Sequence, residues 1–108
     1  MNILSIQSQV AYGHVGNAAA VFALQRLGHE VWPIPTVEFS NHPAHGGYGG
    51  RINGAGLISG LVEGLKERGF LAQCDAILSG YMGSVANGAT SLLALEMVRE
   101  QNPAALYV

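Results

Sequence analysis

Apolar positions along this chain fall into two kinds of block. Short continuous runs read as buried strands: Ile3, Leu4 and Ile6 within residues 2–7, Val31 to Ile34 within Glu30–Thr36, and Ala76-Ile77-Leu78 within Asp75–Ser79. Longer stretches between them carry helical spacing. Residues 17–27 predict a helix with Asn17 as N-cap and Gly28 as C-cap. Leu57, Ile58, Leu61, Val62 and Leu65 predict a second, ended by Gly69. Val85–Gln101 predicts a third, with Leu92, Leu95, Met97 and Val98 on its apolar side and Pro103 as its stop; Ala104–Val108 then opens a fourth strand. Pro33 and Pro35 mark the second strand as an edge or irregular one. Residues 37–53 hold Gly46, Gly47, Gly49 and Gly50 and predict a mobile flap or an irregular hairpin, while Gly80–Gly83 is a turn.

The resulting order, β-α-β-(flap)-α-β-α-β, predicts an α/β fold with a parallel sheet and right-handed crossovers. Ligands of such sheets bind outside the carboxyl ends of the strands. Here those ends carry Ser8, Thr36 and Tyr81, which are expected to converge on one crevice. A serine hydroxyl donates to or accepts from a ring nitrogen or hydroxyl, and a tyrosine offers a flat face and a phenol. The plainer reading is that these groups cap strands and satisfy loop backbone. No internal repeat or low-complexity segment interrupts the 108 residues, which form one small domain. Because the pattern stops inside the fourth strand, the chain is expected to be the N-terminal part of a longer protein.

Composition changes this picture in three ways. Only 11% of residues are charged and 49% are hydrophobic, against a usual charged share of about 25%, so part of the surface is expected to be covered by more chain or by a partner. A net charge of −2 without a basic run argues against nucleic acid. The single Cys74 excludes an internal disulfide and fits a reducing cytoplasm. The amino terminus lacks the basic region of a signal peptide, and no apolar run nears the ~20 residues that span a bilayer.

Other candidate chemistry is weaker. Gly13-His14-Val15-Gly16 is half of a dinucleotide fingerprint; the full spacing is absent, and Glu38 is the nearest acidic residue for a ribose. A turn with close helix packing is the preferred reading. His14, His42 and His45 lack a carboxylate or thiolate at ligand spacing, so flexible-loop histidines that touch substrate or solvent are preferred to a metal site. Cys74 reads as a packed structural thiol. Lys66, beside Glu63 and Glu67, reads as surface, and so does Arg51, which could otherwise meet an anion.

Read together, Ser5-Ile6-Gln7-Ser8, Gly13-His14-Val15-Gly16-Asn17, Val37-Glu38-Phe39-Ser40-Asn41-His42 and Leu78-Ser79-Gly80-Tyr81, in this order, resemble the pyridoxal kinase family of the ribokinase-like superfamily. Asn102-Pro103 and the strand Ala105-Leu106-Tyr107-Val108 fit as well. The related hydroxymethylpyrimidine kinases open with Gly-Ser-Asp and Gly-Gly-Ala-Gly patterns that this chain lacks. The resemblance spans the whole chain, about the first third or more of a family member. It implies a three-layer α/β/α fold with a mainly parallel central sheet, of which these residues form the N-terminal, Rossmann-like part.

It also implies a function: ATP-dependent phosphorylation of the 5′-hydroxymethyl group of pyridoxal, with pyridoxine and pyridoxamine as further vitamers, in a cytoplasmic homodimer using Mg2+, with K+ as a further candidate ion. By that resemblance Ser8 bonds the pyridine ring, Val15, Val37 and Phe39 line the ring pocket, Tyr81 packs on the substrate, and residues 37–53 form the flap. Pro43 stands where many members have Thr, which removes a hydroxyl and an N–H; His45 is a candidate for supplying that polar contact. The family's Asp-Pro-Val-x-Gly-Asp run and its Gly-x-Gly-Asp turn, with the general base and phosphate-binding helix, lie beyond these residues. The resemblance therefore implies no catalytic residue and no metal ligand here, and no turnover by this piece alone. The alternatives are a non-catalytic B6-binding or dimerisation module and a Rossmann-like nucleotide-binding module.

Overall fold

The computed structural model describes residues 1–108. Strands β1 (Asn2–Val10), β2 (Glu30–Phe39), β3 (Gly50–Ile52), β4 (Ala76–Ser79) and β5 (Leu106–Tyr107) form one sheet in the order β3-β2-β1-β4-β5. Helices α1 (Asn17–Arg26), α2 (Ala55–Glu67) and α3 (Val85–Gln101) connect them, with single helical turns at Pro43–His45 and Phe70–Gln73. β1 pairs in parallel with β2 and β4, and β4 with β5. The sheet is mixed rather than wholly parallel, because β3 runs antiparallel to β2. β3 is a strand that the glycine-rich pattern of residues 37–53 does not predict; that segment is an irregular hairpin whose first residues extend β2.

Alternation along β1 sorts the layers. Leu4 and Ile6 join Ile34, Ile77, Ile58 and Val62 of α2, and Ala94, Leu95 and Val98 of α3 in one core. Ser5, between them, points to the opposite face, where its hydroxyl donates to Asn17 Oδ1 of α1 at 2.7 Å. So α1 covers one face and α2 with α3 the other. Asn17 is not the helix cap that its local sequence suggests. Gly16 holds the cap position, and Asn17 is the first helical residue, 2% exposed. Its Nδ2 lies 3.3–3.4 Å from the carbonyls of Ser5, Gln7 and Ile34. A long-range demand for donors has overridden the local capping preference.

The prolines of β2 sit as an edge strand requires, since β3 pairs only with Val37–Phe39. The Pro35 carbonyl accepts from Asn53 Nδ2 at 2.8 Å on the side away from β1. A strand residue's nitrogen and carbonyl face the same way, so the ring nitrogens of Pro33 and Pro35 cost no bond with β1. Past Pro35 the register slips: Gln7 pairs with Pro35 but Gln9 with Glu38. Thr36 and Val37 thus oppose Ser8 alone, a bulge at the carboxyl end of the sheet.

Two helix stripes differ from expectation. Ile58 and Val62 are buried while Leu57 and Leu61 are exposed. On α3, Leu95 and Val98 are buried, Met97 packs against the core, and Leu92 and Leu93 are exposed, as are Phe22 of α1 and Leu27 just beyond it. No helix is long and apolar enough to cross a membrane.

Asn17→Ala is expected to cost about 2 kcal/mol through the unpaired Ser5 hydroxyl and freed carbonyls, read as a lower urea midpoint at unchanged slope. An unchanged midpoint would contradict the stapling role of this side chain.

Candidate functional site

β1 lies at the point where the strand order reverses, with β2 on one side and β4 on the other. A crevice is expected at the carboxyl end of such a strand. A cleft of about 380 Å³ opens there, lined by Gln7, Ser8 and Val10 of β1, Val15 and Gly16 of the following loop, Phe39 of β2, His42 and Pro43 of the hairpin, and Tyr81 after β4.

Ser8 is 8% exposed, and its hydroxyl has no hydrogen-bond partner within the chain, unlike that of Ser5. The loop passes directly over it. Gly16 has φ +54, and a Cβ there would overlap the Ser8 carbonyl and hydroxyl oxygens. The second glycine of Gly13-x-x-Gly16 thus serves close packing, as its sequence reading holds, and keeps the Ser8 hydroxyl at the cleft surface. Tyr81 is 59% exposed. Its ring is free, but its backbone is held: Thr36 Oγ1 donates to the Tyr81 carbonyl at 2.6 Å. Thr36 itself is fully buried, so of the three strand-end residues only Ser8 and Tyr81 reach the cleft. Phe39 is tilted against Tyr48 of the hairpin at 4.1 Å between ring centroids.

His42 Nδ1 accepts from the Ala44 N–H at 3.0 Å, which caps the short helical turn and leaves Nε2 as the protonated nitrogen. Pro43 opens that turn and presents an apolar ring to the cleft.

Two expected residues are absent from the lining. Val37 is 0% exposed and packs with Val10 and Phe39 beneath the surface, because the bulge turns it inward. His45 lies edge-on to Tyr12 at 5.9 Å, outside the cleft lining. Conversely, Gln7, Val10 and Gly16 line the cleft without having been singled out for it. Alternation with Ser5 hinted at Gln7, whose Nε2 donates to Ser5 Oγ at 3.0 Å.

The remaining candidate groups are occupied elsewhere. Arg51 meets Glu38 at 3.2 Å across β2 and β3, an exposed pair that takes the one acidic residue a dinucleotide ribose would need. No three His, Cys, Asp or Glu side chains gather into a metal-binding group. Cys74 is buried, its thiol bonds the Ala76 carbonyl at 3.3 Å, and burial pushes its pKa up, away from thiolate chemistry.

No family model matches the chain. Individual relatives do. A pyridoxal kinase PdxY of Granulibacter bethesdensis is 58% identical over 107 residues, covering 99% of this chain and 37% of that protein. Over its whole length the chain is homologous to part of a pyridoxal kinase. Its fold agrees. The pyridoxal kinase of Leishmania donovani in complex with ADP and pyridoxamine superposes with a TM-score of 0.92 at 32% identity, over 98% of this chain and 39% of that one. The pyridoxal kinase of Trypanosoma brucei gives 0.91 at 35% identity, over 98% and 40%. The chain thus spans well under half the length of the pyridoxal kinases it matches.

Two outcomes follow from the site geometry. Ser8→Ala is expected to leave stability within about 0.5 kcal/mol of wild type, whereas Ser5→Ala costs about 1–2 kcal/mol through the unpaired Asn17 oxygen; thermal melts of the two variants compare them, and equal losses would contradict the free hydroxyl of Ser8. The Cys74 thiol is expected to resist an aromatic disulfide reagent until denaturant unfolds the chain, and rapid modification of the native protein would contradict its burial.

Proposed function

We propose that the full protein to which this chain belongs phosphorylates the 5′-hydroxymethyl group of pyridoxal, and of pyridoxine and pyridoxamine, with ATP as donor, and that these residues form the vitamer-binding wall. The observation that carries this reading is the cleft at the switch point, where Ser8, Val15, Phe39, His42 and Tyr81 come together from four separate segments in a chain homologous throughout to pyridoxal kinases. The ADP and pyridoxamine held by the Leishmania donovani enzyme support the same substrates here.

In this reading the pyridine ring lies between the apolar wall of Phe39, Val15 and Pro43 and the exposed face of Tyr81. Ser8, lacking an internal partner, bonds a ring substituent or the ring nitrogen. The vitamer hydroxyl oxygen attacks the terminal phosphorus of ATP and forms the new P–O bond while the bond from that phosphorus to the bridging oxygen breaks, and ADP leaves with that oxygen and the electron pair. The wall orients that oxygen and keeps water from the donor when the hairpin of residues 37–53 closes as a flap. No carboxylate lines the cleft, so the base that takes the hydroxyl proton is assigned to the rest of the enzyme. The chain's own side chains build no metal-binding group, so Mg2+, K+ and the nucleotide phosphates are assigned there too. Exposed Phe22, Leu27, Leu92, Leu93 and Leu106 are assigned to contacts with the remaining chain or with a second subunit of a homodimer. A reducing cytoplasm suits the free Cys74.

The test is ATP-dependent formation of pyridoxal 5′-phosphate by the full-length protein. Ser8→Ala is expected to raise KM for pyridoxal about fivefold, one hydrogen bond's worth, and Tyr81→Ala to raise it further. A full-length protein that phosphorylates none of the three vitamers would sink this reading and leave a binding or dimerisation module.

A further inference from the structure

The two walls of the cleft come from different elements, the β2–β3 hairpin and the turn after β4, and a single ring of hydrogen bonds joins them from behind. Asn87, in the first turn of α3, is fully buried. Its Nδ2 donates to the Met82 carbonyl and to the Asn53 carbonyl, each at 2.9 Å. Met82 follows Tyr81, and Asn53 ends the hairpin. The Asn53 N–H donates in turn to the Thr36 carbonyl at 2.9 Å, and Thr36 Oγ1 donates to the Tyr81 carbonyl at 2.6 Å. The ring closes from Tyr81 through Met82, Asn87, Asn53 and Thr36 back to Tyr81.

None of Thr36, Asn53 and Asn87 lines the cleft. The orientation of the Asn87 amide is fixed by chemistry, because turning it over would set its oxygen against two carbonyl oxygens. Packing reinforces the same junction. A Cβ on Gly83 would come within 2.7 Å of Val37 Cγ1 and 3.1 Å of Ile52 Cγ2, so the turn after Tyr81 presses on both strands of the hairpin.

We propose that Asn87 is a positioning residue for the substrate: acting through Met82 and Asn53, it sets the separation between the Tyr81 wall and the hairpin wall. This rests on the reading of the cleft as a vitamer site. A ligand held between two walls binds best when their separation is fixed in advance. With the ring broken, the ligand itself must order the turn, and the loss falls on vitamer binding rather than on the chemical step or the nucleotide.

The experiment is steady-state kinetics of the full-length enzyme with pyridoxal and ATP varied in turn. Asn87→Ala is expected to raise KM for pyridoxal about tenfold, with kcat and KM for ATP within about twofold of wild type. Thr36→Val, which keeps the shape but removes the donor to Tyr81, is expected to raise KM for pyridoxal about threefold, and Thr36→Ser to restore it. Val62→Ala, in the core away from the ring, controls for general destabilisation and is expected to leave KM unchanged. If Asn87→Ala does not fold, the Thr36 pair decides alone. The proposal is overturned if the folded ring variants keep KM for pyridoxal within twofold of wild type, or if Val62→Ala raises it equally. A wild-type enzyme that forms no pyridoxal 5′-phosphate overturns the underlying functional reading instead, an outcome distinct from an active enzyme with insensitive variants.

Discussion

Where a parallel ladder stops at the carboxyl ends of its strands, backbone carbonyls lose their partners and must find other donors. In this chain three buried asparagine amides serve them. Asn17 reaches the carbonyls of Ser5, Gln7 and Ile34. Asn53 takes Pro35, and Asn87 takes Asn53 and Met82. Each amide carries two N–H donors on one nitrogen, so a single side chain bridges segments that no continuous ladder could join. The cleft depends on these bridges. They hold β1, β2, the hairpin and the Tyr81 turn around a space that the strands themselves leave open.

The bulge at Thr36 and Val37 is the second element of the same design. An unbroken pairing of β1 with β2 would keep strict alternation past Pro35. The extra residue instead turns both Thr36 and Val37 into the interior. Thr36 gains the Tyr81 carbonyl, and Val37 gains the contact that only glycine at position 83 allows. The apolar floor of the cleft and the polar ring behind it therefore follow from one insertion in one strand.

How much of this was legible in the sequence varied with the range of the interaction. The end of α3 follows from Pro103 beyond it, a local signal, and the structure places the helix at Val85–Gln101 as expected, with Ser84 capping its start. Its buried face followed in part: Leu95 and Val98 are inside as expected, but so are Asn87, Thr90 and Ser91, while Leu92 is outside, because Asn87 turns inward to the Met82 and Asn53 carbonyls. Asn17 misled for the same reason, having the chemistry of a cap and the partners of a long-range staple. β3 escaped notice since three residues, one of them glycine, become a strand only through pairing with β2. The rule that ligands sit at strand ends brings Ser8, Thr36 and Tyr81 together; Ser8 and Tyr81 line the cleft, while Thr36 is buried behind it. Val37, which the resemblance puts in the ring pocket, lies buried beneath the cleft, because the bulge turns it inward.

The central claim is that the crevice between Ser8 and Tyr81 is where the vitamer ring binds. Titrating pyridoxal into the 15N-labelled full-length protein and following its amide resonances tests this most directly. The account predicts shifts concentrated at Ser8, Gly16, His42 and Tyr81, with the outer end of α3 from Leu92 to Arg99 unmoved. Shifts confined to other surfaces, or none at saturating pyridoxal, would contradict it.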